Sequence, residues 1–287
     1  HQRKRTPEIR SVYVVNQGPT FTNAAILGEI SKPDVQMIEQ PNLGGCGGFT
    51  RSMFETISAD EQTTHHLLMD DDIVLDPRVL DKVLHFLRYA DQKTAIGGQM
   101  LEVENPTLLY EAGGRLHPQL FVTPVAQNTQ IGHPSALEIF SKTPEIDYNA
   151  WWFCVLPVSA IQEIGLPPPF FIRGDDIEYG CRLSASSFKT IPLPGCPVWH
   201  ESFSRKDADW MMYYVFRNRI FLTYLYPDAA ARRDPLFLIG FLMTLILANR
   251  YRSAELALKG IVDGVSTHGS LLDTDSATIH KSLMQYA

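Results

Sequence analysis

The sequence predicts an α/β protein with a doubly wound, mostly parallel sheet flanked by helices, followed by a C-terminal helical region. Three observations carry this. From Arg10 to Tyr89, short β-branched and apolar runs alternate with stretches of helical periodicity, the pattern of a sheet wound by crossover helices. After Trp199-His200 the texture turns helical. The 287 residues are 45% hydrophobic and 20% charged, an ordinary globular composition that excludes disordered and fibrous classes. The expected division is residues 1–205 for the α/β part and 206–287 for the helical part.

Arg10 to Asn16 (RSVYVVN) reads as a buried strand ending at the turn Gln17-Gly18-Pro19. Val35 to Glu39 is a second, short strand. Asn42 to Gly48 reads as a glycine-rich loop, and Phe49 to Ser58 as the helix it opens. His65 to Met69 is a strand that runs straight into Asp70-Asp71-Asp72. Asp76-Pro77 has the form of an N-cap followed by proline at the first helical position. The helix it starts keeps Val79, Leu80, Val83, Leu84 and Leu87 at helical spacing.

Residues 95–150 are rich in glycine, proline and short apolar runs, and read as short strands and long loops that build a pocket wall. Trp151 to Pro157 (WWFCVLP) is too apolar to alternate and predicts a strand buried on both faces. Asp175 to Ala185 is helical, as are Asp209 to Leu225, Pro235 to Arg250 and Ala254 to Val262. Leu236 to Ala248 is the most hydrophobic run, but its 13 residues fall short of the about 20 that span a bilayer. It suits a buried helix or, with Arg232, Arg233, Arg250 and Arg252 beside it, a membrane-surface contact.

Charge and cysteines narrow the function classes. Lys+Arg 25 against Asp+Glu 32 leaves a net charge of -7 with no long basic tract, which argues against a nucleic-acid binder. Cys46, Cys154, Cys181 and Cys196 form no CxxC pair. Neither a structural zinc site nor a disulfide scaffold is expected, and a reducing, cytoplasmic compartment fits.

Five constellations can carry chemistry. Asp70 and Asp72 are alternate residues of an extended segment, so they point the same way and can converge on one divalent cation, Mg²⁺ or Mn²⁺, that in turn holds phosphates. A solvated acidic turn is the bland alternative. Position favours the metal, because ligands of α/β sheets bind at the carboxyl ends of strands. In the second, Asn42 to Gly48, the glycines let backbone approach a ligand closely, and a helix N-terminus there can take an anion. Arg51 can pair with a diphosphate. A tight turn without ligand explains the same residues. The third is Gly174-Asp175-Asp176, where a carboxylate at a helix start can serve as a general base or merely cap. His200 is either a metal ligand or a structural histidine. Trp151 and Trp152 either stack on sugar faces or fill the core.

The order of these segments resembles the nucleotide-sugar glycosyltransferases of the GT-A fold, family 2, and within them the galactofuranosyltransferases of mycobacterial-type cell-wall galactan synthesis. The carrying segments are QPNLGGCGGFTR, MDDDI, WWFCVLP, FFIRGDDIEYGCR, VWHESFSRKDADW and YYVFRNR. The resemblance implies that Asp70, Asp72 and His200 hold Mn²⁺ or Mg²⁺ on a UDP diphosphate. It makes Asp176 the catalytic base and Asp175 an acceptor-binding partner, with Trp151 and Trp152 shaping the acceptor site. Asn42, Gly44, Gly45, Gly47, Gly48, Arg51 and Asp71 would bind the nucleotide sugar. The implied reaction is inverting transfer of galactofuranose to a lipid-linked cell-wall glycan at the inner face of the cell membrane, with peripheral membrane contact and a homo-oligomer both allowed.

A rhamnosyl- or other hexosyltransferase of the same fold is the nearest alternative. A truncated or non-catalytic glycan-binding module is the alternative from another class. The family's first βα unit, with a Thr-Phe-Asn-Arg-like ending, has no counterpart here. RSVYVVNQG matches the family's second strand instead, and the chain starts at His1-Gln2-Arg3-Lys4-Arg5 without Met. Sequence preceding His1 is therefore expected.

Overall fold

A computed structural model gives the fold of residues 8–59, 62–117, 122–134, 136–137, 141–202, 208–226, 235–266, 271 and 275–285. The basic start His1 to Arg5, the segment Phe203 to Asp207 of the VWHESFSRKDADW run, and Arg232 and Arg233 lie outside the described residues.

Among the described residues the chain runs β1 (Val12–Asn16), α1 (Ala24–Ile30), β2 (Val35–Glu39), α2 (Gly44–Ala59), β3 (His65–Met69), β4 (Ile73–Leu75) and α3 (Arg78–Leu87). Five strands follow: β5 (Thr94–Glu102), β6 (Leu108–Glu111), β7 (Gly114–Leu116), β8 (Val122–Pro124) and β9 (Thr129–Gln130). Then come β10 (Phe153–Pro157), α4 (Val158–Ile164), α5 (Asp175–Ala185), β11 (Lys189–His200), α6 (Met211–Leu225), α7 (Pro235–Leu247), α8 (Tyr251–Ser266) and α9 (Ser276–Met284).

The main sheet has the order β3-β10-β5-β11-β4, with β6 on β5 and β9 on β6. Its interior strands are buried on both faces, and alternation sorts their side chains. Ala95, Cys154 and Leu156 pack with Met53 of α2, Ile161 of α4 and Tyr179 of α5. Ile96, Phe153 and Val155 pack with Val79 and Val83 of α3. The result is a sheet with helices on both faces, as expected of an α/β fold.

The pairing differs from the expected mostly parallel sheet. Among the described residues β5 runs parallel to β11, and β1 to β2 in a separate two-stranded sheet. The ladders β3–β10, β10–β5, β11–β4 and β5–β6 are antiparallel. Parallel neighbours need long crossovers. The short connections after β5 supply none, so β6 folds straight back on it.

The glycine-rich stretch is also not a loop ahead of a helix at Phe49, because α2 begins at Gly44. The first helix-start donors are met from within the chain. Gln17 Oε1 accepts the Leu43 N–H at 2.8 Å, Asn42 Oδ1 accepts that of Gly44 at 2.9 Å, and the Phe171 carbonyl accepts that of Cys46 at 3.1 Å. These side-chain and carbonyl acceptors replace the missing turn and let the helix start five residues early. At the start of α3 the expected cap is present, with Asp76 Oδ1 accepting the Arg78 N–H at 2.9 Å.

The helices after β11 are tied to the α/β part through α6. Phe221 and Leu222 pack on Phe170 and Cys46, and Tyr213 and Tyr214 pack with Phe171. α7 and α8 close on Phe216 through Leu245, Ala254 and Ala257. No helix among the described residues is long and apolar enough to cross a membrane.

Candidate active site

The site lies where β3 ends, β11 ends and α5 begins. Strand β3 delivers Asp70 and Asp72 on the turn to β4. The Asp70 N–H donates to the Trp152 carbonyl at 3.4 Å, fixing that turn to the start of β10. His200 closes β11, opposite Ile73 of β4 and Glu102 of β5. Its Nε2 lies 3.1 Å from Asp72 Oδ1 and 4.0 Å from Asp70 Oδ2. One ligand atom from each of the three residues lies within 4.8 Å of the others.

The tautomer tests whether a cation fits. His200 Nδ1 is 2.7 Å from the Glu201 carbonyl. A carbonyl only accepts, so Nδ1 carries the proton. In the neutral ring Nε2 then presents a lone pair to two carboxylates, an arrangement that a cation relieves. A backbone carbonyl that orients the far nitrogen is also the usual support of a metal-bound imidazole. The donor set of two carboxylates and one imidazole therefore fits a divalent metal.

The second pair of carboxyls comes from the start of α5. The preceding loop is held in an unusual conformation: Phe171 and Arg173 have φ of 70° and 68°, and Gly174 has 93°. Left-handed non-glycine residues persist only where neighbours over-determine them. Here α6 does so. Arg217, 2% exposed, donates to the Phe170 carbonyl at 2.6 Å. Asn218 Nδ2 lies 2.8 Å from the Ile172 carbonyl and 2.6 Å from that of Arg173. Gly44 of α2 seats against the same loop. It has φ of +73°, and a Cβ there would stand 2.0 Å from the Phe171 oxygen.

Asp175 is buried and Asp176 half-buried. Burial raises both carboxyls above the ordinary range, and the charge of Asp70 adds to it. Asp175 is raised further by Asp176. Asp176 is held back by its hydrogen bond from the Ile177 N–H at 2.8 Å and by Arg173. Asp176 is thus a carboxylate with strengthened basicity, within electrostatic reach of the Asp70 turn.

Both tryptophans are buried in apolar clusters of the core. Trp152 faces His200 with 6.4 Å between ring centroids. Trp151 is 5% exposed and sits edge-on to Phe49 and Tyr179 at 5.4 and 5.7 Å. It fills the core under α2 and α5, so the expected stacking of Trp151 on a sugar is replaced by aromatic packing. The glycine-rich residues divide. Gly44 serves the approach to Phe171, Gly47 lies under the Leu43 side chain, Gly48 faces Gln17, and Gly45 opens on free space. Arg51 is engaged by Glu55 at 2.6 Å along α2. Asn42 and Asp71 are exposed.

Residue-type reasoning passed over Arg173, Arg217, Asn218 and Glu111. The two α6 residues sit in YYVFRNR, a segment with a visible signature but no chemistry of its own. Glu111 carried no signal, because its burial depends on the β5–β6 ladder.

Residues 4–219 match the family model described as glycosyltransferase like family 2. The galactofuranosyltransferase GlfT2 of Mycobacterium tuberculosis is 34% identical over 202 residues, 66% of this chain and 32% of that protein. The GlfT2 of Mycolicibacterium smegmatis is 33% identical over 241 residues, 77% of this chain and 36% of that protein. The chain thus spans about a third of the length of these curated relatives. Among solved structures, GalNAc-T7 with UDP, GalNAc and Mn²⁺ superposes with a TM-score of 0.51 at 10% identity, over 68% of this chain and 37% of that one. That likeness shows the fold, which is of the GT-A type.

Proposed function

Because the chain belongs to the glycosyltransferase-like family 2, we propose that it works as a metal-dependent inverting glycosyltransferase, moving galactofuranose from UDP-galactofuranose to a lipid-linked cell-wall glycan. The observation that carries the metal dependence is the convergence of His200 Nε2 with Asp72 and Asp70, one ligand atom of each within 4.8 Å of the others. The choice of galactofuranose rests on the identity to the two GlfT2 relatives.

In this reading Asp70, Asp72 and His200 hold the ion. The imidazole favours Mn²⁺ over Mg²⁺, which prefers oxygen ligands alone. When bound, the ion offsets the negative charge that develops on the departing diphosphate. Asp176 accepts the proton of the acceptor hydroxyl as that oxygen bonds to the anomeric carbon and the bond to the UDP oxygen breaks. A single displacement of this kind inverts the anomeric centre. Asp175, held nearer its neutral form by burial, hydrogen-bonds the acceptor. Trp152 walls the site beside His200. Gly45, with open space at its Cα, Asn42 and the exposed Asp71 contact the nucleotide sugar, while Gly44, Gly47, Gly48 and Arg51 shape the segment that presents them.

Peripheral attachment to the inner face of the membrane belongs to the same proposal. Leu236, Ile239 and Met243 are exposed on α7 at helical spacing, an apolar face that contact with a lipid surface would cover.

Asp72→Ala and His200→Ala test the metal assignment by calorimetry of UDP binding with and without Mn²⁺. Each should lose the Mn²⁺-dependent part of UDP affinity and at least about a hundredfold of turnover, as when a ligand of an essential ion is removed. Unchanged Mn²⁺ dependence in both would exclude this site.

A further inference from the structure

Glu111 is a buried carboxyl to which the transfer reaction assigns no task. It ends β6 and is 4% exposed. Its Oε1 is shut from solvent and has no hydrogen-bond partner. Folded chains rarely leave a buried polar atom unpaired, because the desolvation is not recovered.

The ladder aims this side chain. Between Met100 and Leu101 the β5–β6 register shifts, so Leu109 falls opposite Leu101 while Glu111 falls opposite Met100. Leu101 and Leu109 share an apolar cluster with Ala112. Met100 belongs to the cluster of Trp152 and Tyr148. The shift sets Glu111 beside Met100 rather than in the Leu109 cluster, on the side of Tyr148, the redirection that bulges give beside functional sites.

The charges agree with that placement. Asp176 and Arg173 both act on Glu111, and Tyr148 feels Glu111 and Asp176 together. Burial, with Asp176 adding and Arg173 opposing, pushes the Glu111 carboxyl up to about 8. At neutral pH it is then mostly a neutral acid, which donates and accepts at once. A sugar hydroxyl offers the same pair of functions in return.

We propose that Glu111 is an acceptor-binding residue, its carboxyl meeting a hydroxyl of the acceptor sugar beside the one that Asp176 activates. The inference rests on the transferase assignment above and adds a specificity contact to it.

The test is steady-state transfer from UDP-galactofuranose with Mn²⁺ to an octyl galactofuranosyl disaccharide, together with calorimetry of UDP and Mn²⁺. Glu111→Ala removes the contact and Glu111→Asp withdraws it by one methylene. Both should raise the acceptor KM about tenfold or more, with a smaller change in kcat, the cost expected when a bound hydroxyl loses its buried partner. UDP binding should stay at the wild-type value. Glu111→Gln, a neutral isostere, should recover most of the acceptor affinity. An unchanged acceptor KM in either folded variant overturns the assignment, as does a Gln variant no better than Ala. Absence of transfer by the wild-type protein with UDP still bound would instead remove the functional premise, and this contact with it.

Discussion

Asp175, Asp176 and Glu111 are three carboxyls that burial pushes up, with Arg173 as the cation that opposes the rise at Asp176 and Glu111. Like charges placed so closely in poor solvent cannot all ionise at once. A consequence can be read for stability. Glu111 titrates near 8 in the fold against an ordinary 4.5. Its favourable contribution is full below about 4.5 and is lost as pH rises through about 8, because the native state holds the proton that the unfolded chain releases. Glu111→Gln cannot lose a proton. Its melting temperature relative to wild type should therefore climb between pH 5 and 9, and a difference independent of pH would contradict the buried carboxyl. The other two residues were legible in the sequence, because Asp-Asp at a helix start has a recognisable form. Glu111 was not, since a one-residue register shift decides which cluster it joins.

At the scale of elements, the site is a strained loop clamped from two sides. α2 presses Gly44 against the Phe171 carbonyl, and α6 holds the carbonyls of Phe170, Ile172 and Arg173 through Arg217 and Asn218. The strands β1, β2 and β3 and the helix α5 fall where periodicity placed them, since their signals are local. The start of α2 was misplaced because four glycines in five positions read as a loop. The acceptors that cap the helix are Gln17 and Phe171, distant in sequence. Asn218→Ala should leave the half-buried carbonyls of Ile172 and Arg173 without their donor, at a cost of about 1 kcal/mol or more. It should lower kcat while sparing the KM for donor, because Asp175 and Asp176 ride on the released loop. A variant with wild-type kcat would show that α6 does not position them.

At the scale of the whole molecule, the sheet is more antiparallel than its alternating elements suggested. Sequence alternation reports that strands and helices take turns; which strands become neighbours is settled by connection length and packing. The C-terminal helices are likewise more than an appendage, since Phe221, Leu222 and Tyr214 complete the apolar shell of the loop before α5. α7 is their outward face. Replacing Leu236, Ile239 and Met243 with serine should abolish co-sedimentation with anionic lipid vesicles and leave transfer to a soluble acceptor intact. Retained sedimentation would remove α7 as the membrane contact.

The most direct measurement is transfer of labelled galactofuranose from UDP-galactofuranose to the octyl disaccharide, by wild type and by Asp176→Asn, with Mn²⁺ and after chelation. Wild type should transfer only with Mn²⁺. Asp176→Asn should keep Mn²⁺-dependent UDP binding and lose about 10²–10⁴-fold in kcat, the range of a general base. Transfer that survives chelation, or an Asp176→Asn enzyme as fast as wild type, would contradict a metal-held leaving group opposed by a carboxylate base.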